Sequence, residues 1–191
     1  SIVRDARRHG VHVLGPDLNA SMRDATLEPR PLDIEPIGRP LRGFHAEPSH
    51  LAVRLGLRSV RGLHDALLDR IDDERAEQVF TGLEDLVRRT GATVDQVEAL
   101  ATAGAFEACF GKTRRAALWA AGALGTARPN ARRDGSVVET LPGIVTGTDA
   151  PALPGMTDME TVYADLWAMG LSVGKHPTEF VREELARQGV V

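Results

Sequence analysis

The side chains that could perform catalysis or bind a metal ion are scattered along this sequence without the spacing that such chemistry needs. The densest acidic group, residues 72–74, would be a candidate for paired catalytic carboxylates. Arg70 and Arg75 flank it on a predicted helix, so a solvated helix face is the better interpretation. The six histidines show no paired spacing with Cys109 that would form a zinc site. We therefore predict no catalytic residue and no metal site in this chain.

Two glycines stand where a phosphate group could approach the backbone. Gly62 and Gly104 each follow an apolar stretch and precede an amphipathic one, which is the pattern of a helix-hairpin-helix motif. In that motif glycine lets the chain turn tightly, and the N–H groups that open the second helix point at an anion. Such contacts bind the DNA backbone without reading its sequence. The alternative at both positions is an ordinary glycine that caps a helix.

We define hairpin one as residues 57–71, around Gly62, and hairpin two as residues 97–106 with the helix predicted from Thr113. A third candidate surface is a basic run over 112–133, with six Lys and Arg residues and no acidic residue. A solvated face is the alternative for that run, whereas phosphate contacts would make DNA binding salt-dependent. The candidate DNA-binding residues are Arg58, Arg61, Gly62, Leu63, His64, Asp65, Gly104, Ala105, Phe106, Lys112, Arg114 and Arg115.

The composition is that of a globular protein that does not bind nucleic acid by its net charge. The 191 residues are 42% hydrophobic, and 23 Lys and Arg against 27 Asp and Glu give a net charge of -4. Over residues 54–75 the basic and acidic residues balance, so hairpin one would have to work by geometry. One cysteine, no long apolar stretch and no signal-peptide pattern predict a cytoplasmic protein without membrane contact.

The periodicity predicts a mainly α fold, with a helix-hairpin-helix DNA-binding domain, a small irregular β-hairpin and a C-terminal helical appendage. Residues 51–57 alternate like a strand and could pair with residues 25–27, while residues 11–14 form another short strand candidate. One helix is predicted from Val60 to about Arg75. Three further helices are predicted from capping boxes that begin at Thr81, Thr93 and Thr157. Three aromatic residues are predicted to pack in the core: Trp119, Tyr163 and Trp167.

The order of several short motifs is similar to that of bacterial family C DNA polymerases, the DNA polymerase III alpha subunit family. The motifs are Gly-Pro-Asp-Leu-Asn at 15–19, Leu-Gly-Leu at 55–57, Val-Arg-Gly at 60–62, Phe-Thr-Gly-Leu-Glu-Asp-Leu at 80–86 and Leu-Ala-Thr-Ala-Gly-Ala-Phe at 100–106. The segments at 167–172 and 175–177 extend the resemblance. Leu-Pro-Gly-Met at 153–156, with Trp167, resembles the error-prone DNA polymerase branch.

The resemblance implies a piece of a nucleotidyltransferase used in DNA replication, DNA repair and damage-induced mutagenesis. The chain starts at Ser1, inside a predicted helix, so we expect it to be a cut fragment. The catalytic aspartates and the Mg²⁺ would belong to the intact polymerase. The implied partners are primer-template DNA, the rest of the polymerase chain, and a sliding clamp or accessory mutagenesis proteins. The expected segments are 1–28 (end of the fingers), 29–50 (mobile loop), 51–125 (tandem helix-hairpin-helix domain), 126–156 (linker) and 157–191 (helical segment before an OB domain).

The sequence departs from the family's pattern at His64, where relatives usually have glycine. A Gly-x-Gly turn would place His64 at positive φ, which costs a residue with a Cβ about 1 kcal/mol. Two other functions therefore stay open. One is a free-standing helix-hairpin-helix DNA-binding module. The other is a protein-interaction scaffold that docks a clamp or an accessory mutagenesis factor.

Overall fold

The computed structural model describes residues 2–31, 50–126 and 149–189, and its described part is mainly helical with one small sheet. The predicted fold class is confirmed. The elements in chain order are α1 (Ile2–Arg8), β1 (His12–Leu14), β2 (Thr26–Pro29), β3 (Leu51–Arg54), α2 (Asp65–Glu77), α3 (Leu83–Thr90), α4 (Val94–Thr102), α5 (Glu107–Phe110), α6 (Arg114–Thr126), α7 (Asp158–Met169) and α8 (Arg182–Arg187).

Two predicted segments lie largely outside the described residues. They are the mobile loop at 29–50, of which 32–49 are not described, and the linker at 126–156, of which 127–148 are not described. The segment boundaries stay predictions. In the ranges that are described, none of the helices is long and apolar enough to cross a membrane.

The sheet confirms the predicted β-hairpin, and the strand candidate at 11–14 is its third strand, β1. β2 runs antiparallel to β3 with Leu27 opposite Val53, and β1 runs parallel to β3 on its other side. Beyond β3, the backbone of Gly56 packs so closely on that of Asp24 that a Cβ would not fit. This close approach fixes the path of the chain into a 3-10 turn at Leu57–Ser59, where hairpin one begins.

The main core lies among α2, α3, α4 and α6. Small side chains on one face of α6 let it pack closely on α4, and the Cys109 side chain lies at the edge of this core. Burial raises the pKa of the Cys109 thiol to about 11, so the thiol stays protonated at neutral pH. The largest fully buried side chains include Phe80, Phe106, Leu57, Leu67, Leu86 and Leu100.

Helix α7 is attached to this core by a buried ion pair. Arg114, at the start of α6, donates to Asp165 of α7 at 2.6 Å, and the two side chains are only 7% and 1% exposed. The second oxygen of Asp165 accepts from the Ser172 hydroxyl and the Val173 amide. A smaller apolar cluster surrounds the end of α7, with members Leu55, Val60, Ala103, Ala168 and Met169. The helical appendage is therefore in contact with both hairpins.

Two predictions about helix starts are wrong. Helix α2 begins at Asp65 and not near Val60, because the chain turns at Gly62 (φ +87°) before it can become helical. The Thr81 capping box does not form, since Gly82 is the N-cap of α3 and the Thr81 amide donates to Asp85 instead. The capping boxes at Thr93 and Thr157 are confirmed.

The prediction that Trp167 and Tyr163 pack in the core is also wrong. Their side chains are 78% and 63% exposed, and Trp119 is about half exposed. Helix α7 instead turns the face of Val162 and Asp165 inward. A buried carboxylate must keep its partner, so the ion pair decides which face of α7 is covered.

The buried ion pair gives a test of how α7 is attached. We expect Asp165→Asn to lower the free energy of unfolding of the 191-residue chain by about 3 kcal/mol, because Arg114 stays buried and keeps only the half-exposed Glu107 carboxylate, 3.6 Å from its Nε, as a counter-charge. Glu160→Gln is the matched control, since Glu160 pairs with Arg115 at 2.6 Å in an exposed position and should contribute less than about 1 kcal/mol. Chemical denaturation measures both, and equal losses would contradict the attachment described here.

Candidate nucleic-acid interface

Hairpin one turns at a single left-handed residue. Gly62 has φ +87° with open space around it, whereas His64 has φ -100° and ψ 152° and is the N-cap of α2. The strain expected at His64 is therefore absent, because the turn needs positive φ only at Gly62. Leu63 is half-buried against the core, and its neighbours Arg61, Gly62, His64 and Asp65 are exposed.

The exposed part of hairpin one presents backbone donors. The N–H groups of residues 62–66 have no hydrogen-bond acceptor within the described part of the chain. The flanking N–H groups are paired, that of Arg61 with the carbonyl of Ala168 at 2.8 Å and that of Leu67 with the carbonyl of His64 at 2.9 Å. Unpaired N–H groups at the start of a helix favour an anion. Hairpin one therefore offers the donors that a phosphate group needs.

An acidic residue stands beside these donors. The Asp65 carboxylate accepts from Arg23 at 2.6 Å and from Arg58 at 3.1 Å. The hydrogen bond from Arg23, followed by that from Arg58, lowers the pKa of Asp65 below its usual range, so this carboxylate is charged at neutral pH. Arg23 also pairs with Asp69. Arg23 was not among the predicted residues, because no local pattern links it to hairpin one and only the fold of the sheet brings it there.

Arg61 is directed at α7. Its guanidinium donates to the carbonyl oxygens of Trp167 at 2.9 Å and of Leu166 at 3.4 Å. The same group lies so close to Gly170 that a Cβ there would be 2.6 Å from its terminal nitrogen. Arg61 thus caps the C-terminal end of α7, where carbonyl groups have no partner within the helix.

Hairpin two has the same glycine conformation, but its turn is largely buried and its first N–H groups already have hydrogen-bond acceptors. Gly104 has φ +81°, and the amides of Gly104 and Ala105 donate to carbonyls of α4. Ala105 and Phe106 are buried. The short α5 (Glu107–Phe110), which was not predicted, follows the turn, and Gly111 ends it in a left-handed conformation. The helix predicted from Thr113 comes next as α6, which begins at Arg114.

Of the basic residues after hairpin two, the structure describes Lys112, Arg114 and Arg115, and the two arginines form ion pairs. The guanidinium of Arg114 lies against Gly104 and is paired with Asp165, and Arg115 is paired with Glu160. Lys112 is half-buried and makes no ion pair in the described ranges. The later basic residues of the run, at 128–133, lie outside the described residues. The DNA contacts proposed for these side chains from the sequence stay predictions.

The described residues contain no group of three or more His, Cys, Asp or Glu side chains that could hold a metal ion. They do contain left-handed glycine turns between helical segments around a shared core, among them Gly62 in hairpin one and Gly104 in hairpin two. This arrangement is that of a helix-hairpin-helix protein.

A family model described as the helix-hairpin-helix motif matches residues 10–117, and the chain belongs to this family. Over its whole length the chain is 46% identical to the error-prone DNA polymerase of Mycolicibacterium paratuberculosis, 44% to that of Nocardia farcinica and 37% to that of Corynebacterium glutamicum. It spans about 15% of the length of each of these relatives. The resemblance to the error-prone branch of DNA polymerases is confirmed.

The two glycine turns should respond differently to the same substitution. We expect Gly62→Ala to lower the free energy of unfolding by about 1 kcal/mol, the cost of positive φ for a residue with a Cβ. Gly104→Ala should cost clearly more, because its Cβ would lie 2.8 Å from Arg114 Nε and displace a paired guanidinium. Gly111→Ala, with φ +63° and open space, is the control for φ alone. If Gly104→Ala matched Gly62→Ala in thermal unfolding, hairpin two would not be packed as described.

Proposed function

We propose that this chain is a non-sequence-specific DNA-binding segment of an error-prone DNA polymerase, and that hairpin one binds the backbone of primer-template DNA. The observation that carries the proposal is the row of five N–H groups, at residues 62–66, without an acceptor in the described part of the chain. These donors lie in an exposed turn and at the start of α2, where they could surround one phosphate group.

In this proposal the polymerase chemistry takes place outside the segment. DNA-directed DNA synthesis uses Mg²⁺ held by acidic residues, and the described residues provide no such group. The segment would instead hold the DNA duplex while another part of the polymerase performs nucleotidyl transfer. The three relatives above, of which the chain spans about 15%, are named error-prone DNA polymerases, and this supports a polymerase segment over a free-standing DNA-binding module.

The charges around hairpin one decide how tightly it would bind. Asp65 repels a phosphate and holds the two nearest arginines, Arg23 and Arg58. A phosphate bound to the backbone donors would compete with Asp65 for both guanidinium groups. We therefore expect moderate affinity that falls steeply with salt, because each phosphate contact releases counterions.

A protein-docking scaffold is the second candidate function. It is favoured by the exposed apolar stripe on α7, where Met159, Tyr163 and Trp167 are four residues apart and share one face. Exposed aromatic side chains are enriched in protein interfaces. In that case a sliding clamp or an accessory mutagenesis protein would be the partner, and the chain would have no salt-dependent affinity for DNA.

Fluorescence anisotropy with a short labelled duplex tests the leading proposal. We expect Asp65→Asn to tighten binding severalfold and to steepen the salt dependence by a slope of about 1–2, because it removes a repulsive charge and leaves Arg23 and Arg58 with one carboxylate partner each, Asp69 and Asp24. Asp73→Asn is the matched control, since it makes the same change on an exposed part of the same helix.

The outcomes separate the two candidates. If the unmodified chain shows no salt-dependent affinity for the duplex, the DNA-binding function is refuted and the scaffold becomes the better proposal. If the chain binds but Asp65→Asn has no larger effect than Asp73→Asn, the DNA lies on a surface other than hairpin one.

A further inference from the structure

We infer that Arg61 is a positioning residue, which holds hairpin one in its phosphate-binding conformation by gripping the end of α7, and that it is not itself a phosphate ligand. The inference rests on the proposed function. The sequence had placed Arg61 among the DNA-binding side chains, but the structure directs both its backbone and its guanidinium toward a different part of the protein.

Arg61 binds three consecutive carbonyl groups. Its backbone N–H donates to the carbonyl oxygen of Ala168 at 2.8 Å, and its guanidinium donates to those of Trp167 at 2.9 Å and Leu166 at 3.4 Å. These carbonyls end a helix, where the partial charge is negative and a cation is favoured. While these hydrogen bonds hold, the position of the guanidinium is set by the end of α7 and not by a phosphate at the turn.

The carbonyl groups to which Arg61 donates belong to a helix end that is itself held by hydrogen bonds. Asp165, which immediately precedes them, is buried and accepts hydrogen bonds from Arg114, Ser172 and Val173. Gly170 then ends the helix with φ +72° and donates its N–H to the Leu166 carbonyl at 2.9 Å. Helix α7 therefore offers hairpin one a rigid support that is attached to hairpin two.

Helix α7 contacts hairpin one at Arg61, the residue immediately before the five unpaired N–H groups. Val60, on the other side of Arg61, is buried against the end of α7 in the smaller apolar cluster. Because the donors at 62–66 make no hydrogen bonds of their own within the described residues, the direction in which they point depends on how the turn is anchored, by Arg61 and Val60 before it and by Leu63 and α2 after it. A binding site that is already ordered loses less entropy when its ligand binds.

The test compares Arg61→Ala with Gly170→Ala. The second variant adds a Cβ 2.6 Å from the Arg61 terminal nitrogen and displaces the guanidinium, while the sequence and charge of hairpin one stay unchanged. Gly91→Ala is the matched control, because Gly91 also follows a helix with positive φ (+67°) but has open space around it. Thermal unfolding establishes that each variant is folded.

We expect Arg61→Ala and Gly170→Ala each to weaken binding of the duplex by about tenfold, with no further loss in the double variant and with an unchanged salt slope. Gly91→Ala should bind like the unmodified chain. If Arg61→Ala instead lowers the salt slope by about 1 while Gly170→Ala binds normally, Arg61 is a phosphate ligand and the inference is overturned.

A second measurement needs no DNA. The NMR order parameters of the amides at 62–66 should fall in Arg61→Ala and Gly170→Ala but not in Gly91→Ala, because the first two release the turn. Unchanged order parameters in both would overturn the positioning role even if DNA binds. A fall in order parameters in a chain that binds no DNA would refute the proposed function and leave the support by α7 in place.

Discussion

Arg114 and Asp165 meet where water is excluded, and a charge in such a place is tolerated only while its partner remains. This requirement fixes α7 against the helical core, and it also fixes the row of carbonyls to which Arg61 is bound. Gly104 must lack a side chain because the guanidinium of Arg114 lies against it. The buried ion pair therefore determines how the two hairpins are positioned relative to each other.

The two hairpins share a glycine conformation but not an environment. In hairpin two the N–H groups that follow the turn are largely used by carbonyls of α4 and by Gly104 itself, and the side chains are buried. In hairpin one the corresponding groups face outward and have no partner in the described part of the chain. The same motif is therefore used in two ways. Hairpin two packs in the core, hairpin one presents unpaired N–H donors, and α7 contacts both.

Local signals in the sequence predicted much of this architecture. The left-handed glycines at 62 and 104 and the capping boxes at Thr93 and Thr157 each depend on a few neighbouring residues, and the β-hairpin follows from the alternation within its strands. The roles of the basic residues were not predictable in this way. Arg23 and Asp65, and likewise Arg114 and Asp165, are about 40 to 50 residues apart in sequence and meet only in the folded chain. Charge counts could not show that these arginines already have partners.

In the proposed function, hairpin one and not hairpin two contacts the phosphate backbone. An NMR titration of the isotopically labelled chain with a short DNA duplex tests it most directly, because each amide reports its own environment. The amide signals of residues 62–66 should shift progressively with added DNA while those of residues 104–107 stay in place. Shifts concentrated at 104–115, with the signals of 62–66 unmoved, would contradict it.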